Sequence, residues 1–409
     1  MILNKIQSSD YSQYINYIAL AYAFTLPLSR AAISLFGILL IVLWLLEGSF
    51  KKKYLLLSRS KVVLALLTFL LFNMVALMWS EDTIKALGYI KKYWYLLPTL
   101  VLLTSLKKEY IPKILSAFIL GMFVSEIISY GVFFELWQFK HATPTNLSPF
   151  MHHIEYSIFL AFTALLLLSR IFSNDTMGTK IFYMLFFITV TGNLFLTEGR
   201  TGQIAFILGL FILAIISFKN KFKSISISFV LTSVILMLAF NLSNTFHDRI
   251  IMGQESLVNV IQNEDYSTSL GSRVGAWIVC KDIMMQNPIV GVGIHDNMNV
   301  FHSIIDEKYP EMQCMHNTFM HVHNQYLQIF TQLGLVGLFL FLAIFYTLAK
   351  THIENKEFKN IKYVYLTILL FAFIPEVLLH RQFNMALFAL IVGLLLAQNR
   401  IENEIQNIR

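Results

Sequence analysis

Apolar residues along this chain fall in runs of roughly 15 to 22, the length that crosses a hydrocarbon core about 30 Å thick at 1.5 Å per helical residue. Twelve such runs predict twelve membrane-spanning helices, near 14–28, 31–46, 62–79, 91–104, 114–134, 154–172, 181–196, 201–218, 225–242, 324–349, 361–379 and 385–398. The fourth is short and contains Pro98, and little more than Ser29 and Arg30 separates the first two, so eleven or thirteen spans fit the same pattern. The polar start, residues 1–13, leads into the first run without a small-residue cleavage site, so that run is expected to stay in the mature chain.

The longest polar interruption is 243–323, about 80 residues. Within it, 271–286 has helical spacing, 287–293 is rich in turn formers, and 303–320 reads as irregular or short-helical. The chain therefore divides into nine spans (1–242), one large loop (243–323), and three spans with a tail (324–409). The expected fold class is all-α, a polytopic integral membrane protein.

Composition supports that class. Only 13% of residues are charged against 56% hydrophobic, about half the charged share of a soluble domain. The net charge of +7 could suggest nucleic acid, but the basic residues lie in short clusters between apolar runs, where they act as topology signals. With the N-terminus in the cytoplasm, the clusters at 51–61, 107–113, 170–180, 219–223 and 350–362, with Lys5, Arg400 and Arg409, put 20 of the 31 basic residues inside. Both termini are then cytoplasmic, and the large loop faces outward.

Three outward segments carry candidate chemistry. Arg200 follows Thr197-Glu198-Gly199 at the junction of spans seven and eight, where the glycines could admit an anion close to a guanidinium that Glu198 orients. A snorkelling anchor explains it equally well. Arg273 stands near the start of the predicted loop helix, where free backbone N–H groups suit an anion. His316, His321, His323 and Asn324 form the third segment. A metal site there is disfavoured because no further ligand follows at a helical interval, whereas a single histidine can take a proton from a sugar hydroxyl. Glu126 and Glu376, read at membrane depth, call for a function or a buried partner. His152, His153, Lys92, His380 and Arg381 face outward and could line the same cavity. Gly334 and Gly337 read as a close helix-packing surface. Cys280 and Cys314 both fall in the loop, either as a disulfide or as apolar fillers.

Together, Thr197–Gly202, Ser272-Arg273 with Trp277, Pro288 with Gly291 and Gly293, and His323-Asn324-Gln325-Tyr326-Leu327-Gln328 with Gly334 and Gly337 resemble the O-antigen ligase and polymerase superfamily. That resemblance implies a GT-C-like, metal-independent glycosyltransferase without cofactor, in the bacterial inner membrane with its site on the periplasmic face. The implied partners are an undecaprenyl-diphosphate-linked glycan donor, a lipid A core acceptor and membrane lipids, with no nucleic acid. It carries diphosphate binding onto Arg200 and Arg273 and acceptor activation onto His323. Asn324, Trp277, His321 and Arg381 are the further substrate-binding candidates. Glu198 departs from the serine often found before the family's first arginine. A polymerase, a protein O-oligosaccharyltransferase or a lipid-glycan flippase remain alternative readings, although a flippase predicts an internal repeat that the sequence lacks.

Overall fold

The computed structural model describes residues 2–140, 142–172, 176–316 and 319–406. Asn317 and Thr318 of the histidine segment, and Arg409, lie outside the described residues. Among the described residues the regular structure is helical, with two isolated β-bridges in the 139–146 turn.

The helices in chain order are α1 (Ile2–Thr25), α2 (Arg30–Leu46), α3 (Phe50–Arg59), α4 (Lys61–Val75), α5 (Thr83–Lys91), α6 (Pro98–Ser105), α7 (Ile111–Phe133), α8 (His153–Ile171) and α9 (Met177–Leu196). They continue with α10 (Arg200–Ser217), α11 (Lys221–Leu242), α12 (Asn244–Asn263), α13 (Gly271–Gln286), α14 (Asp296–Lys308), α15 (Gln325–Lys350), α16 (Lys356–Ala372) and α17 (Gln382–Gln406). Short polar residues set many starts: Ser29, Ser60, Asn220, Ser243, Asn324 and Asn355 each accept a hydrogen bond from a first-turn N–H.

Eight of the described helices are long and apolar enough to cross a membrane, nine if the bent α2–α3 pair counts as one span. The chain is thus a multi-pass membrane protein. Each of the twelve expected runs contains helix, the eleventh only as far as Ala372, but four fall short of that test. The first begins in polar sequence, α2 and α16 have 17 residues each, and the fourth is broken into α5, a 3-10 turn and α6 beginning at Pro98. Proline at a first helical position costs nothing, because its missing N–H has no intrahelical partner there. Buried most deeply are α8 and α17, while α11 is the most open, with about a sixth of its span covered by protein. Around them α10 packs on α8 and α16, α9 on α8, α4 on α15, and α6 on α17.

The two ends of the bundle differ. At one, Lys53 pairs with Glu47 at 2.9 Å, Arg170 with Glu357 at 2.8 Å, and Lys362 donates to the carbonyls of Ala349 and Thr351. At the other lie α12, α13 and α14; α13, α14 and the 3-10 turn after them share a small core of their own, formed by Ala276, Val279, Ile283, Met298, Phe301, Ile305 and Met315, while Phe246 of α12 packs on the bundle. The expected helix over 271–286 is α13. The polar segment holds two more helices than its periodicity suggested, α12 and α14. Cys280 is buried in this core, and Cys314 is exposed with its thiol 3.7 Å from the Tyr266 carbonyl; no disulfide occurs among the described residues.

A main-chain joint ties this cap to the bundle. Gly334 breaks α15 with φ +63° and ψ −164°, a conformation open only to glycine. Pro288–Gly293 crosses the gap: Val292 and Gly293 donate to the carbonyls of Thr331 and Gln332, while the N–H groups of Leu335 and Val336 reach the carbonyls of Pro288 and Ile289, all at 2.9–3.1 Å. The crossing segment satisfies two carbonyls before the break and two N–H groups after it, as a helix interrupted inside a bundle requires. Gly334 is therefore a backbone break and not, as the glycine spacing suggests, a helix-packing surface. A methyl group there would collide with the Ile289 carbonyl. Gly334→Ala is expected to destabilise the fold by roughly 2–4 kcal/mol. Gly88→Ala, with no neighbour within 4 Å of the new methyl, should leave thermal unfolding in detergent near wild type. Equal melting of the two variants would show that the joint does not hold the cap.

Candidate functional site

The site gathers around a carboxylate. Glu376 is fully buried in the connection between α16 and α17, outside the helices and not within the expected eleventh span. Charge in such a place has to be compensated. His321 Nε2 stands 3.5 Å from its Oε1, Arg381 NH2 3.3 Å from the same oxygen, and His323 Nδ1 3.4 Å from Oε2. The Val377 N–H donates to Oε1 at 2.9 Å. Burial by itself would raise this acid, but the facing His323 ring, Arg381 and His321 outweigh burial and hold it below the ordinary carboxylate range. At 3.4 Å the His323 contact is long for a hydrogen bond, so ring and carboxylate face each other without closing.

The backbone aims His323. It has φ +48°, left-handed and rare for a residue with a side chain, immediately before the Asn324 cap of α15. Asn324 is committed to that cap, accepting from the Leu327 N–H at 3.0 Å. Gln325 binds the α16–α17 connection instead: its N–H donates to the Phe373 carbonyl at 2.8 Å and its side chain accepts from the Leu379 N–H at 2.9 Å. The α16–α17 connection is thereby pinned to the head of α15. His316 lies apart, 3.3 Å from Asp306 and with its ring against His302.

Arg273 approaches from α13. Its NH1 donates to the carbonyl of Ser269 at 2.6 Å, and its Nε reaches the Pro375 carbonyl, one residue before Glu376, at 3.3 Å. Arg200 opens α10 and faces α12, where a methyl on Gly253 would sit 3.2 Å from its NH1. Glu198 does not pair with Arg200 as expected; it binds Arg249 of α12 at 2.6 Å, with His153 at 3.9 Å. The glycines around Arg200 also have another duty. Gly199 and Gly202 press against Ser157 of α8, leaving no room for a Cβ. Trp277 packs on the cap's core with its indole nitrogen buried and unpartnered.

Among the described residues, cavities open at this end. One of about 630 Å³ is walled by His321, His323, Arg381, Lys92, His380 and Tyr89, with the His380 ring stacked 3.7 Å over Tyr89. Another, about 610 Å³, is lined by Arg30, Lys140, His152, His153, Glu198 and Phe150. The arrangement can hold an anion near several guanidiniums and place a carboxylate-backed imidazole against a second molecule. His321, His323 and Glu376 also have donor atoms within 4.8 Å of one another, a set able to hold a metal ion, although Arg381 already sits on one Glu376 oxygen. The residues the sequence reading missed are Arg249, which no motif marks, and Glu376 as the centre. Its only signal was a carboxylate in an apolar run.

The site thus belongs to a multi-pass membrane protein and lies at one end of its helix bundle. Residues 185–342 match the family model for O-antigen ligase, which bears out the superfamily resemblance over the central part of the chain. A protein of Rickettsia conorii named "putative polysaccharide ligase" is 31% identical over 97 residues, which span 23% of this chain and 24% of that relative.

Burial drives the His321 imidazole down to about 4, against the pull of Glu376. Because its folded pKa lies below the unfolded value of 6.5, the unfolded chain binds this proton first as pH falls. Stability linked to His321 is therefore present above about pH 6.5 and declines towards pH 4, by on the order of 2 kcal/mol at pH 5. Thermal unfolding should fall between pH 7 and 5, and His321→Asn should make that slope shallower. An unchanged slope would mean that His321 titrates as if exposed.

Proposed function

We propose that this protein is an O-antigen ligase-type glycosyltransferase. In this reading it transfers a glycan from undecaprenyl diphosphate to a lipid A core acceptor, at the periplasmic face of the bacterial inner membrane. The observation that carries the reading is the buried Glu376 with His323 and Arg381 on the wall of a cavity, beside Arg273, whose charge in turn acts on Arg200.

The chemistry follows from these groups. The acceptor hydroxyl oxygen attacks the anomeric carbon as the bond from that carbon to the diphosphate oxygen breaks, with inversion. His323 takes the hydroxyl proton through Nε2, and the Glu376 carboxylate facing Nδ1 stabilises the resulting imidazolium. Arg200 and Arg273 hold the diphosphate and neutralise the charge that builds on it as it leaves. Arg381 and His321 line the acceptor side. Guanidiniums supply the charge stabilisation that a metal gives elsewhere, so the reaction needs none.

Reconstitution in lipid vesicles with an undecaprenyl-diphosphate glycan and lipid A core tests this. Consumption of the core acceptor supports the ligase reading, and elongation of the lipid-linked glycan instead would make the protein a polymerase. His323→Ala is expected to abolish transfer while leaving membrane insertion intact; near-normal transfer would remove it as the base. Arg273→Lys should lower the rate by about 10²-fold or more, because a point charge lacks the bidentate fork. Activity should survive a strong chelator. Loss that zinc restores would assign a metal to His321, His323 and Glu376.

A further inference from the structure

Helix α12 has three faces, and only one is explained by the protein. Phe246, Arg249, Gly253, Ser256 and Val260 recur at three- and four-residue intervals and turn inward, with Phe246 edge-on to Phe195 at 5.3 Å and Arg249 on Glu198. At 100° per residue, Leu257, Ile250, Ile261, Val258 and Ile251 fall in the neighbouring sector, about 120° wide. All five are exposed, Ile261 by 71%. Beyond them lie Asp248, Glu255 and Gln262, also exposed. His247 and Gln254 interrupt the apolar sector, and Met252 falls outside it.

A helix surrounded by water on its free side would have one polar sector there, not an apolar stripe between protein and polar faces. What the stripe meets is indicated by continuity. One residue, Ser243, separates α12 from α11, and its hydroxyl both caps α12 and donates to the Phe195 carbonyl at 2.9 Å. The most open span in the bundle, α11 exposes Val234, Met237, Leu238, Phe240 and Leu242 up to its last residue. This exposed apolar surface leads to the α12 stripe, where the Phe240 ring meets that of His247, within the stripe's sector, at 4.6 Å.

We propose that α12 is an interfacial helix whose partner is the bilayer surface, with the Ile250–Leu257–Ile261 stripe sunk between lipid headgroups and Asp248 and Glu255 in water. A helix with this distribution binds where acyl chains meet headgroups, with its axis in the membrane plane. Arg249, on the inward face, is thereby held at headgroup height, level with the phosphates of lipids. The assignment is independent of the glycosyltransferase chemistry.

The test places single cysteines at Leu257, Ile261, Glu255 and Gln262 in a Cys314→Ser background, Cys280 being buried, and labels each with an environment-sensitive fluorophore. In nanodiscs containing spin-labelled lipid, Leu257 and Ile261 labels should lose fluorescence and shift to the blue. Labels at Glu255 and Gln262 should keep their emission. A lipid-borne photoreactive probe gives the same readout on the unsubstituted chain, with label expected on Ile250, Leu257 and Ile261. Equal quenching on both faces, or none on either, overturns the proposal. Unquenched Ile261 labels that crosslink between two molecules would give the stripe to a second copy instead.

Discussion

A buried carboxylate cannot stand alone, and the functional end of this protein is organised by that constraint. Leaving a charged group uncompensated in a low-dielectric setting costs several kcal/mol, so Glu376 requires polar partners from wherever the chain can supply them. They come from two separate stretches: His321 and His323 ahead of α15, and Arg381 at the head of α17. Arg273 adds a tie to the Pro375 carbonyl from a third. One acidic side chain thus draws the cap, α15 and α17 to a common point, leaving an imidazole at the cavity wall with a carboxylate behind it.

Backbone hydrogen bonding makes that point rigid. A broken helix inside a bundle has orphan carbonyls and N–H groups, and here the Pro288–Gly293 strand satisfies those around Gly334. The break in α15 and the turn in the loop complete each other. Because the strand continues into α14, the cap is registered on α15 by main-chain bonds, and the cap's small apolar core does not have to carry the docking alone. The matched region, 185–342, takes in both partners of this joint together with Arg200, Arg273 and His323.

Much of this was legible in the chain. Helices follow from apolar run lengths and from caps such as Ser29, Ser60 and Asn324, which are local signals. Arg200, Arg273 and His323 were identifiable as residue types able to bind diphosphate or move a proton, and folding brings them to one end of the bundle. The α12 helix escaped detection because its apolar residues serve two faces at once, which blurs a single 3.6-residue period.

The sequence by itself determined that the protein is a helical membrane bundle with its polar chemistry in and around one large segment, because hydrophobic length and helix capping are encoded locally. Only the tertiary structure decided who pairs with whom. Glu198 answers Arg249 and not its neighbour Arg200, Gly334 is a break and not a packing face, and Glu376 is the hub of the site. Each depends on groups tens of residues or more apart meeting in space, and the energy of a buried charge or an orphan N–H is set by that meeting.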